Sequence, residues 1–586
     1  MRWINKENNK DKIEEIVKKF NITQLQAKLI LNRGLQSVED IKKYLYGSLK
    51  DLHPPHLLKN IEKGIKLIHK TLESKEKITI YGDYDADGIT STVVAVKALE
   101  NLGANIDYYI PNRLTEGYGM NKNAIQKLKN SGTKLIITVD NGIASINEIE
   151  FAKKLGIKTI ITDHHNCPEQ LPNADVIINP KQNNDNYPNK DLCGCALIWK
   201  VMEELYRFLN KDVGFILNLL PLVAISTVAD VVDLLDENRI LVKEGLKRIN
   251  SKSHSFVGLN ELIKALDIGE VSSQDIGFKI APCINADGRL KDSQKAIKLF
   301  LCNDEREIKK TVKELIEINE ERKNLTSKYF QQAEERIKKK NLQNKNIIVL
   351  FLKNIPEGII GLIAGKIKEL YQVPTFVFTE GINYYTGSGR GVEGHPLDLF
   401  TIIQKTKKYW VKGGGHEMAC GISIEKNIKK LIRFVEKVNE IVDEKLKGQK
   451  FVPALEIDEE INDLSEKLCN EINILEPTGK ANPKPMFVAN NLDVLEAKKV
   501  GDGTHISFKF SENRQGIAFG MTSLFAEKLD NPQKIRVVYT PAIDIFSWTN
   551  YRGEKTTRKT IKMYIEDIQK EPESNSNGSL LISSCK

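Results

Sequence analysis

The stretch Ile78–Thr92, ITIYGDYDADGITST, sets three carboxylates, Asp83, Asp85 and Asp87, directly after an apolar run. Ile78 to Tyr81 reads as a buried strand, and GITSTVVAVKALENLG after the acids reads as a helix. Like charges this close repel unless something positive lies among them. In extended backbone, residues i and i+2 face the same way, so Asp85 and Asp87 can reach one point. Gly82 and Gly88 bracket the group and let the turn tighten.

The same rhythm continues outward. NIDYYIP, KLIITVD, KTIITD and DVIINP alternate with the helical segments NAIQKLKNSG and SINEIEFAKKLG. Alternation of this kind predicts a doubly wound parallel sheet. Strands covered on both faces read as continuous apolar runs, as these largely do. In open α/β sheets, ligands bind at the carboxyl ends of the strands. Asp140 stands at one such end, and Asp163, His164 and His165 at another. Asp230 interrupts the apolar helical run ISTVADVVDL, where an unpaired charge is costly, so a buried cationic partner is expected for it. Several carboxylates with imidazole suit Mn²⁺ or Mg²⁺ better than Zn²⁺. A carboxylate bridging two such ions is the usual arrangement for phosphoester hydrolysis. A lone Asp-x-Asp is a weak signal, because turns and helix N-caps also use Asp. Its repetition at several strand ends carries the metal expectation.

The chain has 586 residues, too many for one core. Residues 1–74 read as a helical N-terminal extension, 75–240 as the parallel-sheet domain, and 241–345 as a helical region ending in a long charged helix. Residues 346–448 read as a smaller α/β domain, 449–570 as a β barrel or sandwich for which an OB-like fold fits, and 571–586 as a disordered tail. The charged helix, about residues 304–340, is either a rigid connector between two bodies or a solvated helix packed along one of them. Hydrophobic content of 41% and charged content of 28% are ordinary for a soluble globular chain. No apolar run approaches the ~18 residues of a membrane span, and MRWINKENNKDKIEE offers no signal-peptide core. A cytoplasmic location without membrane attachment is expected. The eight cysteines form no CxxC pair and read as reduced, buried thiols. The net charge of +9, from 87 basic and 78 acidic residues, permits a polyanionic partner without demanding one.

Arg113 in PNRLTEGYG and Arg289 in INADGRL read as loop arginines whose planar donors fit phosphate. In YYTGSGRGVEGH, Ser388, Arg390 and neighbouring glycine N–H groups are expected to form an anion-binding nest, and VKGGGHEMACG adds His416. Tyr118 either stacks on a base or packs in the core. KKVGDGTHISFKF and SWTNYRGEKTTRK interleave Lys and Arg with aromatics, as a single-strand-binding groove does, and as a barrel core with a basic rim also does.

DYDADG, VDNG, TDHH and STVADVVDL resemble the ordered motifs of the DHH phosphoesterase superfamily, and GSGRG and GGGHEMACGISI resemble its DHHA1 companion domain. With PNRLTEGYG, INADGRL and a C-terminal β domain, the chain is similar, over roughly residues 40–570, to the RecJ-like exonuclease branch. The resemblance implies a multidomain α/β architecture: a doubly wound DHH domain, a long helical connector, a smaller α/β DHHA1 domain and an OB-like domain. It implies that Asp85 and Asp140 hold one Mn²⁺ or Mg²⁺, and that Asp87, Asp140, His164 and Asp230 hold a second, Asp140 bridging. Many members carry a histidine ligand where this chain has Tyr81, and Asp83 is expected to compensate. His165 is then expected to face the scissile phosphate, with Asp163 orienting the histidines from behind. The counterparts of Arg113, Ser388 and Arg390 hold a 5′-terminal phosphate. The implied activity is 5′→3′ hydrolysis of single-stranded DNA to 5′-mononucleotides in recombination and repair. A single strand with a 5′ end would be the substrate, a single-strand-binding protein and a helicase the partners, and the enzyme a monomer. Two departures stand out: Gly391 where the family motif usually ends in Ser, and LEPTGKANPKP in place of a more glycine-rich loop. The alternatives are a nano-RNA or cyclic-dinucleotide phosphodiesterase of the same superfamily, and a catalytically dead DNA-binding replication scaffold. The extra β module and the intact acidic set weigh against them.

Overall fold

The structure is a computed structural model that describes residues 1–113, 115–117, 119–501, 503–511, 514–522, 534–549 and 555–570. The expectations for Tyr118, for the tail 571–586 and for the middle of SWTNYRGEKTTRK fall outside the described residues. The chain divides into two compact units: residues 46–453 with 477–481, and residues 1–45 with 454–476 and 482–586.

The larger unit opens with β1 (Lys77–Tyr81), α1 (Ala86–Asn101), β2 (Ile106–Tyr109), β3 (Thr133–Val139), β4 (Lys158–Thr162) and β5 (Val176–Ile178). These strands form one sheet in the order β2-β1-β3-β4-β5, every pair parallel. The chain leaves β1 for one edge and returns to β3 on β1's other side. That reversal opens a crevice between the carboxyl ends of β1 and β3. Along β3 the side chains alternate: Leu135, Ile137 and Val139 enter one core, while Ile136 enters the core on the opposite face. Two-sided burial is why the strand reads as an unbroken apolar run.

Four helices matter for the site: α2 (Gly194–Phe208), α3 (Leu220–Ala229), α4 (Ala281–Leu290) and α5 (Glu305–Lys339). The 35 residues of α5 span about 52 Å. Its first half puts Ile308, Val312 and Leu315 into the core beneath the parallel sheet. Its second half puts Ala333 and Ile337 into a separate core with Ile348, Leu350 and Ile363. The helix therefore connects two bodies and is packed against both.

Beyond it lie β6 (Ile348–Phe351), β7 (Thr375–Glu380), β8 (Tyr384–Arg390), β9 (Lys412–Gly415) and β10 (Ala419–Glu425), in the order β9-β10-β8-β7-β6. Only β6 and β7 run parallel, so this sheet is mixed.

In the smaller unit, strands Phe487–Val500, His505–Phe510, Gln515–Ala518, Lys555–Lys570 and Lys534–Thr549 pair in that order, and the last pairs back to the first. A five-stranded closed barrel results, the architecture expected of an OB-like domain. The N-terminal segment corrects the expectation of an all-helical extension. Arg2–Asn5 is a strand paired in parallel with Ala454–Ile457. The Trp3 indole donates to Asp567 Oδ2 at 2.9 Å, and the Arg536 guanidinium lies 4.4 Å over its ring. The helices Lys10–Phe20, Gln24–Leu31 and Val38–Tyr46 follow, and Ile61–Glu73 already belongs to the larger unit. Among the described residues no helix is long and apolar enough to cross a membrane.

Candidate metal centre

The acidic loop is built by helix initiation. Asp85 caps α1, its carboxylate accepting from Gly88 N at 3.1 Å. Asp87 then falls in the first turn and turns inward. Gly194 N donates to its Oδ2 at 2.7 Å and Cys195 N to its Oδ1 at 2.8 Å. The carboxylate thus sits at the N-terminus of α2, where two unpaired backbone donors and the helix dipole favour an anion. Ser226 Oγ, one turn before Asp230, also donates to Asp87 Oδ1.

Asp140 follows β3 in the left-handed region, φ 60°, a conformation that short polar side chains tolerate. Its amide donates to Thr162 O at 3.1 Å, which ties it to the end of β4. His164 follows β4 by two residues. Its Nε2 lies 3.2 Å from Asp140 Oδ1 and 3.6 Å from both Asp87 Oδ2 and Asp230 Oδ2. Asp83, Asp85 and Asp140 bring one oxygen each within 4.8 Å of one another, and so do the donor atoms of Asp87, His164 and Asp230. The two triads come from three strand ends and one helix end, and Asp140 lies in hydrogen-bond range of the second through His164.

The electrostatics fit a cation pair. Burial, and then Asp85, pushes Asp83 well above the usual carboxylate range. Burial followed by Asp87 and Asp85 does the same for Asp140 and Asp230, and burial with Asp87 raises Asp85. Burial drives His164 down to about 4 against the pull of Asp87, leaving a neutral imidazole fit to be a ligand. Asp83 Oδ1 is buried without a hydrogen-bond partner. Divalent cations among these atoms would remove the repulsion and satisfy that oxygen. Oxygen donors with a single imidazole nitrogen match Mn²⁺ and Mg²⁺.

Among the described residues no Lys or Arg forms an ion pair with Asp230. Its Oδ2 lies 3.6 Å from His164 Nε2, and the His165 imidazole is the cationic group that offsets the repulsion of Asp87 and Asp85. Tyr81 takes no part: its ring packs 5.2 Å from Tyr109, and its hydroxyl lies 3.4 Å from Gly119 O. Asp163 accepts from Ile143 N at 2.9 Å, from His165 N at 3.0 Å and from His165 Nδ1 at 2.8 Å. Burial raises its pKa, but the His165 hydrogen bond outweighs that and holds the carboxyl below the usual range. Burial would lower His165, yet the same bond lifts it to about 9, a charged imidazole. His416, from the second sheet, stacks on His165 with centroids 6.4 Å apart, and its Nδ1 lies 3.2 Å from Asn166 Nδ2.

Three arginines gather beside the acids. The Arg113 guanidinium lies 5.0 Å over the Tyr84 ring. Arg289 Nη1 donates to Gly358 O at 3.1 Å, and Arg390 Nη1 donates to Ser388 Oγ at 3.0 Å. Burial, then Arg113 and Arg390, drives Arg289 down to about 9. Guanidinium does not give up its proton in proteins, so that pressure marks a place for an anion. Two expectations are corrected. Arg289 lies in helix α4, not in a loop. Ser388 and Arg390 lie in strand β8, whose backbone is committed to ladders with β7 and β10, so no glycine nest forms. The two side chains share one face of β8. A Cβ on Gly387 would meet the Phe378 ring at 2.3 Å, and one on Gly389 would meet Cys420 Sγ at 2.6 Å. Those glycines serve close packing on the other face.

Asn285 was not singled out from the sequence. Its Oδ1 accepts from Ala86 N, between the two aspartates, at 2.8 Å. The spacing of Asn285 and Arg289, one helical turn apart, is the signal that could have found it. Ser226, four residues before Asp230, carries the same kind of signal.

Family models match in chain order: the DHH family N-terminal domain over residues 77–227, the DHHA1 domain over 344–444 and the RecJ OB domain over 456–562. Together they define a DHH-type phosphoesterase carrying an OB module. The single-stranded-DNA-specific exonuclease RecJ of Bacillus subtilis is 35% identical over 86% of this chain, which spans 64% of that relative's length. The Escherichia coli protein of the same name is 31% identical over 82% of this chain and 85% of its own length. The crystal structure of Thermus thermophilus RecJ in complex with Mn²⁺ superposes with a TM-score of 0.81 at 25% identity, covering 97% of this chain and 80% of that one. The chain belongs to the RecJ family.

Proposed function

We infer that this chain is a metal-dependent exonuclease specific for single-stranded DNA, working from the 5′ end and releasing 5′-mononucleotides. The carrying observation is the pair of ligand triads, Asp83/Asp85/Asp140 and Asp87/His164/Asp230, with three arginines at their side. Divalent cations held by these residues supply Lewis acidity toward a phosphodiester and a water of lowered pKa. The protein's own groups do the rest. Asp163 fixes the His165 ring and favours its protonated form, so that it can donate to a non-bridging phosphate oxygen. Arg113, Arg289 and Arg390, with Ser388, offer a terminal phosphate several charge-assisted hydrogen bonds. A clamp beside the metal centre sets polarity, because it seats one chain end one step from the scissile bond. Asn285 and the N-terminus of α2 hold Ala86 and Asp87, and thereby the ligand loop. The domain boundaries set out above serve this arrangement, with the OB-type barrel as the module that engages single strands. Action as a monomer in recombination and repair, beside a helicase and a single-strand-binding protein, belongs to the same inference. The test is digestion of single strands blocked at the 5′ or the 3′ end, by the protein and by Asp140→Ala. Release of nucleotides from 3′-blocked strands only, lost in the variant while strand binding persists, is expected. Release from 5′-blocked strands refutes the polarity, and equal loss of binding refutes a mainly catalytic role for Asp140.

A further inference from the structure

Phe278 is a large aromatic side chain, 78% exposed, on a surface where such a residue has no packing role. It stands in a π-helical turn, Ile276–Ile280, that runs directly into α4. Single π-turns are rare and gather at functional sites. The turn rests beside the metal centre: a Cβ on Gly277 would lie 3.6 Å from Val228 Cγ1, on the last turn of α3, which ends at Asp230.

The pattern of exposure along α4 shows which way this element faces. Between Ala281 and Leu290 only Pro282, Asn285, Arg289 and the terminal Leu290 escape burial. Phe278, Pro282, Asn285 and Arg289 fall at spacings of four, three and four, one open stripe running onto the otherwise buried α4. Two further members of the stripe have assigned contacts. Asn285 bonds the backbone between Asp85 and Asp87, and Arg289 joins the arginine cluster. The stripe therefore passes from the phosphate clamp, past the metal centre, to Phe278. From Arg289 to Phe278 the rise is about 15 Å, a reach of about four nucleotides at stacked spacing and fewer in an extended strand.

Resting on the single-strand function inferred above, we propose that Phe278 is a stacking platform for an unpaired base on the 3′ side of the scissile phosphate. An aromatic face accepts any base, so the contact adds grip without sequence preference. A duplex keeps its bases stacked and paired and cannot offer one to this ring, so the contact also favours single strands.

The test uses 5′-phosphorylated single strands carrying 2-aminopurine at the second, third, fourth or sixth nucleotide, bound in EDTA so that nothing is cut. In the wild type, fluorescence is quenched at one position among the second to fourth, and Phe278→Ala loses that quenching while Phe278→Trp keeps it. With metal restored, Phe278→Ala raises KM for long strands about tenfold, the size of one lost base stack, and the change falls on KM rather than on kcat. Unchanged quenching at every position and an unchanged KM in Phe278→Ala overturn the assignment and leave the exonuclease function standing. A wild type that binds no single strand overturns both. Phe278 is exposed, so its variants are expected to fold, and an unchanged melting temperature confirms it.

Discussion

The backbone amide of Gly194 donates to Asp87 Oδ2 at 2.7 Å, and a side chain on Gly194 would come within 2.7 Å of Asp140 Cβ. One residue thus governs the distance between a residue of the second triad, Asp87, and Asp140 of the first. Gly194→Ala forces Asp87 and Asp140 apart. Mn²⁺ affinity, read by calorimetry, is expected to fall about 10–100-fold, the usual cost of disturbing the groups that support metal ligands. A variant with wild-type affinity and activity would show that the contact is slack.

Asn285→Ala removes the acceptor of Ala86 N and frees the loop that carries Asp85 and Asp87. Nuclease activity at low Mn²⁺ is expected to drop about tenfold or more, with partial recovery as Mn²⁺ is raised. Loss that saturating metal does not relieve at all would place Asn285 elsewhere in the mechanism.

Arg390→Lys keeps the charge but discards the planar fork now set by Ser388 and Gly389. The ratio of kcat/KM for 5′-phosphorylated over 5′-hydroxyl strands is expected to shrink by about tenfold. An unchanged ratio would remove Arg390 from the terminal-phosphate clamp.

His395, which belongs to neither ligand triad, provides a stability test. Its Nδ1 accepts from Leu397 N at 3.1 Å, its Nε2 is buried without a partner, and its ring packs 4.5 Å from Phe451. Burial lowers its pKa from 6.5 to about 4. The folded state therefore favours the neutral ring. That stability is complete above pH 6.5 and is lost as the pH falls toward 4. With solvent screening of a group that is only partly desolvated, the loss at pH 5 is on the order of 1 kcal/mol. Urea midpoints at pH 7.5 and 5.0 should separate more widely for the wild type than for His395→Gln, and equal separations would contradict the burial argument.

Much of the site was legible because its ligands follow strands whose apolar runs announce themselves. Asp85, Asp87, Asp140 and His164 all stand just past such a run, and the sheet does the gathering. Asp230 was visible as a charge in an apolar helix, but the identity of its partners was not, since a shared cluster of carboxylates and imidazoles leaves no mark in local sequence. Arg289 and Arg390 were placed in turns because glycines surround them. Gly288 instead lets α4 approach Tyr84, where a Cβ would meet Tyr84 O at 2.3 Å. Gly387 and Gly389 make room for phenylalanine rings and Cys420. Glycine in these places signals close approach, not flexibility. The strand Arg2–Asn5 escaped notice because its partner, Ala454–Ile457, lies far along the chain, and four residues carry no periodicity of their own.

The central claim is that Asp140 is shared by two cations. An anomalous difference map from crystals grown with Mn²⁺ tests it most directly. Two peaks are expected, one among Asp83, Asp85 and Asp140 and one among Asp87, His164 and Asp230, with Asp140 bound to both. A single peak, or two peaks with Asp140 bound to neither, would contradict it.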